Sequence, residues 1–330
     1  MKILRDTNRD LKYGLLLRRA GQILVYAGQL IVLGLMSLLA VVFPSLDFPG
    51  VVSLLLGLVF ILGLFLSTFL AYKILYRGKQ YEARGKAALS EADTRQPVLY
   101  LRPFMLDEVS GRLIRRMIFG GGMWPVLFSV EEQLADAVAP IGPLVAIGKP
   151  DEQLPTPGAV RHYFGDAIWQ NVVKEWISKA RVIILRPGMS ESLWWELKEA
   201  VAAMPAESLL LLVLEMKRSD YLCFSQLVND RLDIRLPDFN EVSRWRRASG
   251  FIEFNAAWQA RFLPLKAPIL RGEPYKPLKA AFNHTLQPMF TGLGVSWRPS
   301  PFSKFKLFAI GLLVLCLVLG TVGYLMSLRN

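Results

Sequence analysis

Three long apolar runs without a charged side chain constrain this chain more than any other feature. They are Gly21–Phe43, Gly50–Tyr72 and Leu307–Leu328. Each is longer than the ~18 residues that distinguish a membrane-spanning helix from a buried core helix, and about 20 residues cross the hydrocarbon layer. The runs therefore predict three transmembrane helices, two before and one after a long polar middle, with the lipid bilayer as a partner of the chain.

The position of the basic residues predicts the orientation of these helices. The net charge is +12, and residues 1–20 and 73–87 each contribute +4. Because Lys and Arg beside a span stay on the cytoplasmic side, we expect a multi-pass protein of the cytoplasmic (inner) membrane. Its N-terminus and middle domain would be cytoplasmic and its C-terminus outside. Residues 88–303 carry only +2, so a nucleic-acid partner is not expected.

The four Cys and His residues predict neither a disulfide nor a metal site. Cys223 lies in the polar middle and Cys316 inside the third apolar run, so the two are not placed to meet. His162 and His284 belong to no cluster with the spacing of metal ligands.

Short apolar segments alternate with helical periods from Pro97 onward, which predicts an α/β domain with a mostly parallel sheet. The first expected strand begins at Val98. The other expected strands are Leu144–Ile147, Arg181–Leu185 and Leu209–Leu214. The expected helices run from Ser129 to Ala139, from Asp166 to Ala180 and from about Ser190 to Met204. The predicted organisation is a basic N-terminus (1–20), a transmembrane hairpin (21–75), a linker (76–96), an α/β domain (97–240) with an insertion at 108–128, an extension (241–305) and the third span (307–328).

Glu196 is the acidic residue whose predicted position suggests chemistry. It lies at the rim of the apolar face of its helix, soon after the carboxyl end of a strand, where open α/β sheets bind ligands. A carboxylate there would stabilise an oxocarbenium ion or act as a general base. The helix dipole alone also stabilises a carboxylate near a helix N-terminus, so a purely structural role for Glu196 stays open.

The order of these segments resembles the TIR (Toll/interleukin-1 receptor) domains over about residues 97–214. The resemblance rests on the segments Tyr100–Asp107, Asp166–Ala180, Arg181–Leu185 and Ser190–Ala200, the last of which carries Ser, Trp and Glu. It implies a TIR/flavodoxin-like fold, with Glu196 as the residue that cleaves NAD. We also expect ligand binding by Arg102, Phe104, Asp107, Ser190 and Trp195. For Trp195, which lies on the side of its helix opposite the core face, contact with a neighbouring subunit or with the bilayer surface stays open as an alternative.

Two functions follow from this resemblance. In the first, the chain is a membrane-anchored TIR-like effector or signalling protein of a prokaryotic defence or stress response. It assembles as a homo-oligomer on a nucleotide ligand and cleaves NAD as a substrate, without a resident cofactor. In the second, the domain is a non-catalytic nucleotide-sensing or scaffolding module whose spans oligomerise or form a pore.

Overall fold

A computed structural model of the 330-residue chain describes the following residues: 9–24, 27–28, 31, 62–63, 66, 69–71, 73–84, 93–103, 128–148, 157–162, 168–244, 247–266, 268, 271–272 and 276–303. The chain divides into two compact units. One consists of Met1–Ala92 with Glu152–Val160, and the other consists of Asp93–Asp151 with Arg161–Asn330.

Two antiparallel helical segments, residues 9–24 and 73–84, form most of the described part of the first unit. They approach closely because glycines face each other: a Cβ added to Gly14 would lie 2.7 Å from the carbonyl oxygen of Gly78. Ion pairs join their polar positions. The Nε atom of Arg84 lies 2.6 Å from Oδ2 of Asp10, and Nη1 of Arg18 lies 3.0 Å from Oε2 of Glu82.

The described helices test the prediction of three transmembrane spans. In the part of the chain that the structure describes, no helix is long and apolar enough to cross a bilayer. This finding contradicts the three transmembrane helices and the location in the inner membrane. The first predicted span starts at Gly21, but residues 21–24 continue a helix that already carries Arg18 and Arg19. Most of the run 21–43, most of 50–72 and all of 307–328 lie outside the described residues.

The described part of the second unit is organised around an eight-stranded sheet. Its strands are β1 (Val98–Leu101), β2 (Leu144–Ile147), β3 (Val160–His162), β4 (Val182–Leu185), β5 (Leu209–Lys217), β6 (Ser243–Arg244), β7 (Arg247–Phe254) and β8 (Ala260–Pro264). Its helices are α1 (Val130–Val138), α2 (Trp169–Lys179), α3 (Glu191–Ala203), α4 (Arg218–Leu232), α5 (Phe239–Val242), α6 (Pro277–Thr285) and α7 (Gln287–Gly292), with a 3-10 turn at Ala206–Ser208.

The strand order is β3-β2-β1-β4-β5-β7-β6, with β8 also paired to β7. Pairing is parallel between β1 and β2, β1 and β4, and β4 and β5, and antiparallel between β5 and β7. The predicted α/β domain is therefore present, but its sheet is mixed. The segment predicted as an extension, 241–305, adds β6 to β8 to this same sheet.

The central strands are buried on both faces, as their continuous apolar sequences require. On one face, Leu99 and Leu101 of β1 share a core with Leu197 of α3. On the other face, Phe251 of β7 meets Phe282 of α6 edge-to-face at 5.7 Å. Successive strand residues point to opposite faces, so Tyr100 and the residue after the strand, Arg102, share the face opposite to α3.

Gln133 joins α1 to α6 on that second face. Its side chain is fully buried, and its Oε1 accepts hydrogen bonds from the amide groups of Leu278 and Lys279 at 2.9 and 3.3 Å. These amides belong to the first turn of α6, where helical N–H groups have no partner in their own helix. Its Nε2 donates to the carbonyl oxygen of Phe128 at 3.2 Å. One glutamine thus ties the start of α1 to the start of α6.

The exit of β1 packs against the loop after β4. A Cβ added at Gly188 would overlap the ring of Pro103, so only the bare backbone allows this approach. We expect Gly188→Ala to lower the free energy of unfolding by ~1–3 kcal/mol, the usual effect of overpacking. Gly292→Ala is the matched control, since a Cβ there meets nothing within 4 Å. Urea denaturation of both variants tests this contact, and equal stability of the two would contradict it.

Candidate functional site

Two neighbouring strands end in the same dipeptide, Arg-Pro. Arg102 and Pro103 follow β1, and Arg186 and Pro187 follow β4. The strands are in register, and the amide of Arg186 donates to the carbonyl oxygen of Leu101 at 2.8 Å. Because proline has no N–H for a further ladder bond, the chain leaves the sheet here. The two arginines therefore stand side by side at the carboxyl end of the parallel sheet.

A buried ion cluster surrounds the first of these arginines. Oε2 of Glu131 lies 3.3 Å from Nε of Arg102 and 3.0 Å from Nη2 of Arg161 on β3. The three side chains are at most 4% exposed. Glu131 is positioned by the start of α1, where Ser129 and Glu132 form a capping box. One carboxylate thus binds guanidinium groups from two strands.

Arg186 has a different partner, the phenol of Tyr100. The ring of Tyr100 is buried, and burial raises the pKa of its hydroxyl group. The charge of Arg186 and its hydrogen bond to the phenol act in the opposite sense and lower that pKa. Arg186 itself is only half-buried, unlike Arg102.

Glu196 lies on α3, close enough to Arg102 for the two charges to interact. Its side chain is buried, with the residue only 7% exposed. Burial raises the pKa of Glu196 to about 8, although the positive charge of Arg102 partly opposes the shift. Among the described residues, its carboxyl group has no hydrogen-bond partner. At pH 7 the group is mostly protonated, so it adds little negative charge beside the arginines.

Of the other predicted ligand-binding residues, the structure describes Ser190 and Trp195. Ser190 is the N-cap residue of α3, but within this fully described helix its hydroxyl makes no capping bond. Trp195 is half-buried and packs edge-to-face on Trp169 of α2, with ring centroids 4.8 Å apart. It therefore belongs to the contact between α2 and α3. Phe104 and Asp107 lie outside the described residues.

Tyr100, Glu131, Arg161 and Arg186 were not predicted as site residues. The sequence does carry one signal for Arg186, because Leu-Arg-Pro follows both Val98–Tyr100 and Val182–Ile184. Nothing in the spacing of Glu131 and Arg161 shows that they meet Arg102. We refer to Tyr100, Arg102, Glu131, Arg161, Arg186 and Glu196 as the carboxyl-edge cluster.

The chemistry of the carboxyl-edge cluster suits an anionic ligand. Three guanidinium groups accompany two carboxyl groups, of which Glu196 is mostly neutral at pH 7. Arginine forms paired, charge-assisted hydrogen bonds with carboxylate and phosphate. A metal ion would need the opposite donor set, and no group of three His, Cys, Asp or Glu side chains that could hold one occurs among the described residues.

Neither models of protein families, curated proteins nor solved structures gave a match to this chain. The resemblance to TIR domains therefore stays a prediction.

The buried carboxyl group of Glu196 predicts an unusual dependence of stability on pH. Its pKa is about 8 in the folded chain and near 4.5 when exposed, so the folded state binds more protons between these values. Wild-type stability should therefore fall as the pH rises from about 5 to about 8. Glu196→Gln removes the ionisation, so we expect this part of the loss to disappear and the variant to be more stable than wild type at pH 8.

Urea denaturation of the full-length chain at pH 5 and pH 8 measures this difference. Glu199→Gln is the control, because Glu199 is on the same helix but is partly exposed and paired with Lys174 at 3.5 Å. It should retain the wild-type pH dependence. The same change in stability between pH 5 and 8 for wild type and Glu196→Gln would refute the raised pKa.

Proposed function

We propose that this chain is a TIR-like effector or signalling protein that acts on a nucleotide, with Glu196 as the group that cleaves the N-glycosidic bond of NAD. The observation that carries the proposal is the buried carboxyl group of Glu196, which lies near Arg102 at the carboxyl edge of the sheet. In doubly wound sheets this edge is the ligand-binding edge, where helices leave opposite faces of neighbouring strands. Here α1 follows β1 and α3 follows β4.

The chemistry starts from a protonated Glu196. The nicotinamide ring of NAD is positively charged, and a positive charge next to a carboxyl group lowers its pKa. Binding of the ring would therefore release the proton and leave a carboxylate. The bond between the ribose C1′ and the nicotinamide nitrogen then breaks, and its electron pair goes to the nitrogen. The carboxylate stabilises the oxocarbenium ion, water adds to C1′ and loses a proton, and ADP-ribose results.

Purified full-length protein should convert NAD to nicotinamide and ADP-ribose, measured by chromatography. Glu196→Gln should lower the rate about 100-fold or more, because the group that stabilises the developing charge is lost. Glu199→Gln on the same helix should retain the wild-type rate. Cleavage of NAD by Glu196→Gln at the wild-type rate would refute the role of Glu196.

The pH profile gives a second measure of the same group. The reactive complex needs Glu196 ionised, and the free-energy cost of removing the proton from the free enzyme enters kcat/KM, which reports the pKa values of the free enzyme. We expect kcat/KM for NAD to rise with pH and to level off above about pH 8, following the pKa of Glu196. A profile that is already flat from pH 6 would contradict this assignment.

A non-catalytic nucleotide-binding or scaffolding module is the second candidate. It is favoured by the buried pairing of Glu131 with Arg102 and Arg161, which builds a rigid basic site. In this case NAD would bind and stay intact. Light scattering with and without NAD would then show whether ligand binding drives the assembly of the chain into oligomers.

A further inference from the structure

The two Arg-Pro dipeptides place like charges next to each other, which is unfavourable without a partner. Leu101 and Leu185 are paired residues on β1 and β4, so Arg102 and Arg186 follow as the next pair. Neighbouring strands lie ~4.8 Å apart. Both side chains lie on the same face of the sheet, because each stands two residues after a residue of that face, Tyr100 or Ile184.

The carboxylate in this cluster compensates only one of these two arginines directly. Glu131 contacts Arg102 and Arg161, whereas Arg186 has the neutral phenol of Tyr100. Arg102 is almost fully buried and held in place by its ion pair with Glu131. Arg186, at the same edge of the sheet, is half-buried. The pair thus combines one buried guanidinium group, held by an ion pair, with an arginine that is less buried.

We propose that Arg102 and Arg186 form a clamp for the diphosphate of a nucleoside-diphosphate ligand. This inference deepens the proposed function and rests on it for the identity of the ligand as a nucleotide. Two linked phosphates offer each guanidinium group its own pair of oxygens, and arginine pairs with phosphate in this bidentate manner. The two negative charges of the ligand relieve the repulsion between the two arginines.

The arginine pair also lies near Glu196. The clamp lies at the ends of β1 and β4, and Glu196 lies on the helix that follows β4. Arg102 belongs to the clamp, and its positive charge also acts on Glu196. The diphosphate would hold the nucleotide at the arginine pair while the carboxyl group acts on another part of the same molecule.

Calorimetric titration of the full-length chain with ADP-ribose, inorganic pyrophosphate and adenosine tests the clamp. ADP-ribose carries the diphosphate but no nicotinamide bond, so binding is measured without cleavage. We expect wild type to bind ADP-ribose and pyrophosphate and to bind adenosine much more weakly. Affinity should fall with added salt, because the interaction is between charges.

The informative variant is Arg186→Gln, which should weaken binding of ADP-ribose and pyrophosphate about tenfold or more. Arg186→Lys retains the charge but loses the planar fork, so it should bind with intermediate affinity. Arg181→Gln is the control: Arg181 precedes the same strand at its opposite end, where Nη2 donates to the carbonyl oxygen of Leu293 at 2.6 Å. It should bind as wild type does. Urea denaturation shows which variants are folded, and Arg186→Lys replaces Arg186→Gln if the latter is not.

Three results would overturn the clamp: no binding of ADP-ribose or pyrophosphate by wild type, unchanged affinity in a folded Arg186 variant, or equal loss in Arg181→Gln. A failure of the clamp differs from a failure of NAD cleavage. Cleavage that depends on Glu196 but has the same KM in Arg186→Lys would remove the clamp alone. Binding of ADP-ribose that depends on Arg186, without NAD cleavage, would remove the catalytic role alone.

Discussion

The rest of the second unit depends on the ion pairs that the buried carboxylate of Glu131 forms. It holds Arg102 after β1 and Arg161 on β3, and all three side chains are almost completely withdrawn from solvent. Loss of one partner in a buried ion pair leaves an uncompensated charge, at a cost of ~3–5 kcal/mol. Two residues further along α1, Gln133 binds the first amides of α6. The start of α1 therefore fixes the sheet edge and the C-terminal helices together.

This arrangement concentrates charge at a place where burial makes charge expensive. Glu196 is buried without a hydrogen bond from any described residue, and its raised pKa is the consequence. Arg186 stands next to Arg102, and its partner among the described residues is the phenol of Tyr100. Groups of this kind lower the stability of a fold, and they cluster at functional sites because binding or catalysis uses them. The same groups, Glu196 and the two neighbouring arginines, thus lower the stability of the fold and supply the proposed nucleotide chemistry.

Local features of the sequence predicted the central elements of the fold well. The strand Leu144–Ile147 and the helix that Ser129 caps lie where they were expected, because apolar runs and capping boxes are local signals. The sheet edge formed by β6, β7 and β8 was harder to predict. Its strands pair antiparallel with β5 or each other, and register between distant segments leaves no local pattern.

The candidate site was predicted in part for the same reason. Glu196 and Arg102 follow buried strands, and this local position identifies them. Glu131 and Arg161 join them only through the placement of α1 and β3, which no spacing in the sequence reveals. The prediction of three spans failed differently. It relied on apolar length alone, whereas the described helix at Gly21 continues from a charged segment that packs against another charged helix.

The proposed chemistry and the pH dependence of stability both follow from the protonation of Glu196. Carbon-13 NMR of the full-length chain with labelled glutamate carboxyl groups measures this ionisation directly, and Glu196→Gln identifies the resonance. We expect one glutamate that titrates near pH 8. Titration of that resonance near pH 4.5, the ordinary value for glutamate, would contradict it.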